Sequence, residues 1–117
     1  MTLIRNFSLA ILILLFSGFT LYHHGWANYD QKKVLDYLGV IEESKYENPH
    51  ATAKVKAGNK VWLVILAPTT RMEARGVKPE MLKAGKSIQV VGYPHKTVKN
   101  EMRAERIIID GAKYELR

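Results

Sequence analysis

A chain of 117 residues has room for one domain, and with no cysteine it can neither form disulfides nor ligate a metal through thiolate. Lys and Arg number 18 against 11 Asp and Glu, a formal net charge of +7, which favours acidic partners, anionic lipid or nucleic acid. The charges are scattered, without a block of five of one sign, so a soluble basic surface is the plainer reading of them.

The chain begins with Arg5 and then an apolar run from Phe7 to Leu21. This is the charged n-region and apolar h-region of a secretory signal. The run is short for a membrane span of about 20 residues, yet it can serve as an anchor if it is not cleaved. Small residues allow a cut after Thr20 or after Ala27. Residues 1–22 are therefore assigned to a signal peptide or N-terminal membrane anchor, and residues 23–117 to the folded domain. The expected location is the periplasm or the outside of the cell, and the membrane is expected to be a partner only through an uncleaved leader.

The body reads as mainly β. Val34 to Glu43 forms the first expected strand, with Gly39 marking a bulge or bend. Asn48-Pro49 breaks it, since proline lacks the donor that a central strand needs. His50 to Val55 alternates as a second strand, and Gly58-Asn59 is a hairpin signal. Val61 to Leu66 is apolar throughout and is expected to be the most buried strand, with Trp62 in the core. From Ala67 to Lys86 the pattern is not that of a strand. Thr70 and Glu73 have the spacing of a capping box, Gly76 can end that helix, and Pro79 suits the first position of a second turn. Ser87 to Gly92 and Met102 to Ile109 are the fourth and fifth strands. Asp110-Gly111 is a turn, and Lys113 to Leu116 a short sixth strand. Three strands, a helical insertion and two more strands is the order of a small OB-like β-barrel of five to six strands. A small open sandwich with the helices on one edge is the alternative.

This order places His50 between the first two strands and His95 between the fourth and fifth. In OB-folds those connections flank one binding face. His23 and His24 precede the first strand and can fold over the same end. The four histidines thus form a candidate metal site, with Met72 and Met102 as thioether donors. Imidazole suits copper or zinc, and thioether favours Cu(I). Each histidine alone reads as a solvated turn residue, and each methionine as core filler. Asp30 or Glu73 would suit zinc. The alternative is a metal-free module that binds a cell-envelope protein or an anionic ligand. Trp26 and Tyr93 would supply flat contact area, and Arg71, Arg75 and Arg103 the charge. No nucleic acid is expected to bind an exported protein.

Catalytic signatures are missing. The sequence has no phosphate-binding glycine loop and no zinc-protease helix. Ser44 and Ser87 lack a nucleophile elbow. The chain is read as a binding module and not as an enzyme.

His23-His24-Gly25-Trp26, Asn48-Pro49-His50, Arg71-Met72-Glu73-Ala74-Arg75-Gly76, Gly92-Tyr93-Pro94 and Glu101-Met102-Arg103-Ala104-Glu105-Arg106 together resemble one family over essentially all of residues 23–117. It is a family of small exported bacterial proteins catalogued as a domain of unknown function. The resemblance implies a signal peptide, a periplasmic location and an OB-like barrel, and no established activity. The architecture is also similar to that of small periplasmic copper-binding OB proteins, a likeness of fold alone.

Overall fold

The computed structural model describes residues 25–117. The leader, and with it His23 and His24, lies outside the described residues. A 3-10 turn at Trp26–Asn28 precedes the first strand. Six strands follow: β1 (Leu35–Lys45), β2 (Thr52–Ala57), β3 (Lys60–Ile65), β4 (Ser87–Pro94), β5 (Glu101–Ile109) and β6 (Ala112–Glu115). One helix, α1 (Thr69–Ala74), and a 3-10 turn at Pro79–Leu82 sit between β3 and β4.

The sheet order is β3-β2-β1-β4-β5-β6, with an added parallel pairing of β3 and β5. That pairing matches Leu63–Ile65 with Glu101–Arg103 and closes the first five strands into a barrel. Closure gives the OB-like barrel and removes the open-sandwich alternative. β6 extends the sheet beside the second half of β5.

β1 serves two neighbours. Leu35 to Val40 pair with β4, and Val40 to Lys45 pair with β2. Gly39 lies just before this switch. A Cβ there would meet the Val55 side chain at 2.6 Å and the Lys56 carbonyl at 2.7 Å, so only glycine lets the strand bend this closely over β2. The bend is where the sequence places it, while the bulge itself lies downstream, between Ile41 and Glu43.

Inward residues form one core, with Ile41, Val55, Val64, Leu66, Ile88 and Ile107 among its members. A second bulge, between Val91 and Gly92 on the β4 side, pairs Val91 with Arg106 and Gly92 with Ala104. Glu105 is then the extra residue on β5. The buried positions of β5 accordingly change parity, from Met102 and Ala104 to Ile107 and Ile109.

Two local expectations need correction. Thr70 is not an N-cap: α1 begins at Thr69, Pro68 holds the cap position, and no side chain of the helix's own caps it. Instead Asn48, from the β1–β2 connection, accepts from the Thr69 N–H and hydroxyl at 3.4 and 2.9 Å. β3 is not the most buried strand either. Only Val64 within it is fully covered, because Lys60 to Trp62 run out to the β2–β3 turn. β4 and β5, paired with neighbours on both sides over most of their lengths whereas β3 meets β5 only at Leu63–Ile65, hold more of the core. Trp62 is half-buried and stacks on Tyr37, 5.9 Å between centroids. The end of α1 is as expected. Gly76, at φ +85°, donates to Glu73 and Val77 donates to Met72, the pair of bonds of a Schellman motif.

Candidate functional site

The start of β5 alternates strictly. Met102 and Ala104 point into the core, so Glu101, Arg103 and Glu105 point outward. This outward face lies at the end of the barrel where the β1–β2 and β4–β5 connections meet. The segment from Trp26 to Asp30 lies along it. Tyr29 bridges to His95, Asp30 N–H donates to the Pro94 carbonyl at 2.8 Å, and Lys96 N–H donates to the Asn28 carbonyl at 2.9 Å. Leu116 N–H donates to the Glu105 carbonyl and holds the C-terminal tail on the same face.

Arg103 stands opposite Tyr93 in the β4–β5 ladder and is only 6% exposed. The Arg103 and Arg117 guanidinium carbons each lie over the Trp26 ring, 4.3 Å from its centroid. Tyr93 meets Trp26 edge-on at 6.1 Å. The Arg71 guanidinium donates to the Leu116 carbonyl at 3.3 Å. Burial pushes the Arg103 guanidinium below its usual pKa; the Tyr29 phenol opposes this, and the charges of Arg71 and Arg117 add to it. Arg103 thus feels the charges of Arg71 and Arg117, and shares one indole with Arg117. Glu105 balances part of that charge, accepting from Tyr93 at 3.0 Å and from Arg106 and Arg117 at 3.5 Å.

The two described histidines reach the same side of β5 at different points. His50 Nε2 faces the Arg103 guanidinium at 3.4 Å. Arginine has donors only, so this imidazole nitrogen is the acceptor. His95 sits edge-on to Tyr29, with 5.1 Å between ring centroids. Its Nδ1 accepts from the N–H groups of Thr97 and Val98 at 3.1 and 3.0 Å. A neutral imidazole that accepts at Nδ1 carries its proton on Nε2. That nitrogen faces Glu101 Oε2 at 3.9 Å, and Tyr29 donates to the same oxygen at 2.8 Å. Burial first, and then the hydrogen bond to Glu101 and its charge, raise the Tyr29 phenol above its ordinary pKa.

The metal set expected from the sequence is dispersed among the described residues. Met72 and Met102 are fully buried in the core, and Met102 Sδ accepts from the Tyr37 hydroxyl at 2.9 Å. Glu101 and Arg103, which hold the two imidazoles, are about 7 Å apart along the strand. No three His, Asp or Glu side chains gather at metal spacing among the described residues. The ligand set fares differently. Trp26, Tyr93, Arg103 and Arg71 come together, whereas Arg75 is exposed at the end of α1. The sequence reading missed Tyr29, Glu101, Glu105 and Arg117. The alternation of charged and apolar residues in Glu101-Met102-Arg103-Ala104-Glu105 carries a signal for two of these. Arg117 carries none.

The sequence model of a family of unknown function, DUF6152, matches residues 12–103, and the chain belongs to that family. No curated protein matches it.

Proposed function

We propose that this member of DUF6152 is an exported envelope module, not an enzyme, that binds an anionic group at the Trp26–Arg103–Arg117 end of its barrel. The two guanidiniums over one indole carry this reading. Stacking uses the face of a guanidinium and leaves its N–H edge in plane, the edge that pairs with carboxylate or phosphate; an anion would share or exchange the contacts these edges now make, Arg103 with His50 and Arg117 with Gln31 and Glu105. Arg71 adds a third positive charge and Tyr93 an aromatic wall. Export is supported by Arg5 and the apolar run from Phe7 to Leu21.

Copper or zinc binding is the competing reading. It needs the lone pair of His50 that now faces a guanidinium, and would set one cation against another. It also needs His95 to release the Thr97 and Val98 amides or to move its proton from Nε2. The metal-free reading requires neither change.

Titration of the full chain in detergent micelles with tripolyphosphate tests the proposal. Binding should weaken with salt, and Arg117→Ala or Trp26→Leu should each lower affinity about tenfold, the loss of one charge-assisted contact. Absence of polyanion binding, together with stoichiometric binding of Zn(II) or Cu(II), would sink it.

A further inference from the structure

Next to the arginine site, two loops are tied together and both are basic. Residues 30–34 make a tight turn in which Lys32 N–H donates to Asp30 Oδ1 and Lys33 N–H to the Asp30 carbonyl. Residues 95–100 form the β4–β5 connection, folded over the His95 ring. The Tyr29–His95 bridge and the Asp30–Pro94 and Asn28–Lys96 bonds hold the loops side by side. Lys32, Lys33, Lys96 and Lys99 are all exposed, against one aspartate that is spent on the turn. Among them stand two exposed valines, Val34 at 65% and Val98 at 48%. Leu38, Val40 and Val61 are exposed elsewhere on the barrel, so what sets Val34 and Val98 apart is their place among four lysines on two joined loops.

No described helix is long and apolar enough to cross a membrane. The apolar run, however, ends at Leu21, and three residues join it to Gly25. Four Cα steps, from Leu21 to Gly25, reach at most about 14 Å. A run seated in a bilayer therefore keeps this end of the barrel at the headgroups, and with it both loops.

We propose that loops 30–34 and 95–100 form a lipid-facing surface. The four lysines engage the phosphates of anionic headgroups, and Val34 and Val98 enter the interface between them. Lysine suits this role because its stem lies along apolar surface while its ammonium reaches the phosphate. A single apolar anchor holds weakly, and a basic patch supplies the second signal. The surface depends on the leader reading, but not on the arginine site.

The absence of cysteine allows single-cysteine probes. Full-length chain carrying Thr97→Cys, labelled with an environment-sensitive fluorophore, is reconstituted in vesicles of phosphatidylcholine, with or without phosphatidylglycerol. Each vesicle also contains a headgroup-level quencher lipid. Lys113→Cys, on the strand after the far hairpin, is the control. The probe at 97 should be quenched severalfold more in anionic than in neutral vesicles. The excess should vanish in about 0.5 M salt, where charges are screened within a few ångströms. It should also vanish with Lys96→Glu plus Lys99→Glu. The probe at 113 should stay unquenched throughout. Equal quenching at 97 in the two vesicle types, or equal quenching at 97 and 113, would overturn the proposal. The tripolyphosphate titration in micelles has no lipid surface, so either idea can fail without the other.

Discussion

The connection between β4 and β5 is fastened by its histidine, and the connection between β1 and β2 by its asparagine. In the first, the His95 ring accepts two amides of its own loop and packs on Tyr29. In the second, Asn48 receives the start of α1, and His50 is left to face Arg103. Both histidines follow a proline near a strand end. One acts as a latch for its loop, and the other lines the arginine site. A shared dipeptide does not define a shared role; the groups that surround each ring do.

Removing the latch should have the largest effect. His95→Ala leaves the Thr97 and Val98 amides without their acceptor and Tyr29 without its neighbour. A loss of about 1–3 kcal/mol is expected in urea denaturation. Stability equal to that of the parent would show that water replaces the ring at no cost.

Tyr29→Phe probes the same latch from its other side, and should cost about 1–2 kcal/mol by deleting the bond to Glu101. Its pH dependence gives a second readout. Burial, then Glu101, raises the Tyr29 phenol, and burial raises that of Tyr37. The folded chain then holds these protons more tightly than the unfolded chain does. This contribution is complete below the ordinary tyrosine pKa of about 10 and declines as pH rises beyond it. Denaturation midpoints measured above that value should fall, and fall less steeply in Tyr29→Phe. A parallel decline in both proteins would remove Tyr29 from the explanation.

Asn48→Ala tests the fastening of the other loop. Losing the acceptor at the start of α1 should cost about 0.5–1 kcal/mol. Thr70→Ala should stay within about 0.5 kcal/mol of the parent, as exposed substitutions do. The opposite order would restore Thr70 as the cap.

A modest change in stability, about 1 kcal/mol, is expected for His50→Ala, because the half-buried ring accepts from the Arg103 guanidinium. Its main effect should appear in tripolyphosphate affinity, because the ring borders Arg103. A large destabilisation without change in affinity would make His50 a second latch.

How much of this was legible depended on distance along the chain. The strands, the two hairpins, the glycine after α1 and the proline at the second turn are local patterns, and the fold follows from their order. The cap of α1 was misread because its acceptor, Asn48, lies 21 residues from Thr69. The burial of β3 was misread because an apolar run does not say where a barrel leaves a strand uncovered. Trp26, Tyr93 and Arg103 stand out as ligand candidates by residue type alone. Their convergence with Arg117 depends on the tail packing on β5, which no spacing encodes. The expectation that the histidines share a ligand rested on loop positions alone. Which nitrogen of each ring is occupied is set by neighbours that only the fold supplies.

The central claim is that the His50–Arg103–Trp26 end receives anions while His95 holds its loop. Ring ¹⁵N NMR of the full chain in micelles tests it most directly, with spectra recorded alone, with tripolyphosphate and with Zn(II). The account predicts the Nε2–H tautomer for His95, unmoved by either addition. Tripolyphosphate should shift His50 and the Trp26 indole. If instead Zn(II) shifts His50 and His95 together at stoichiometric amounts and tripolyphosphate shifts neither His50 nor Trp26, the account is contradicted and the histidines form a metal site.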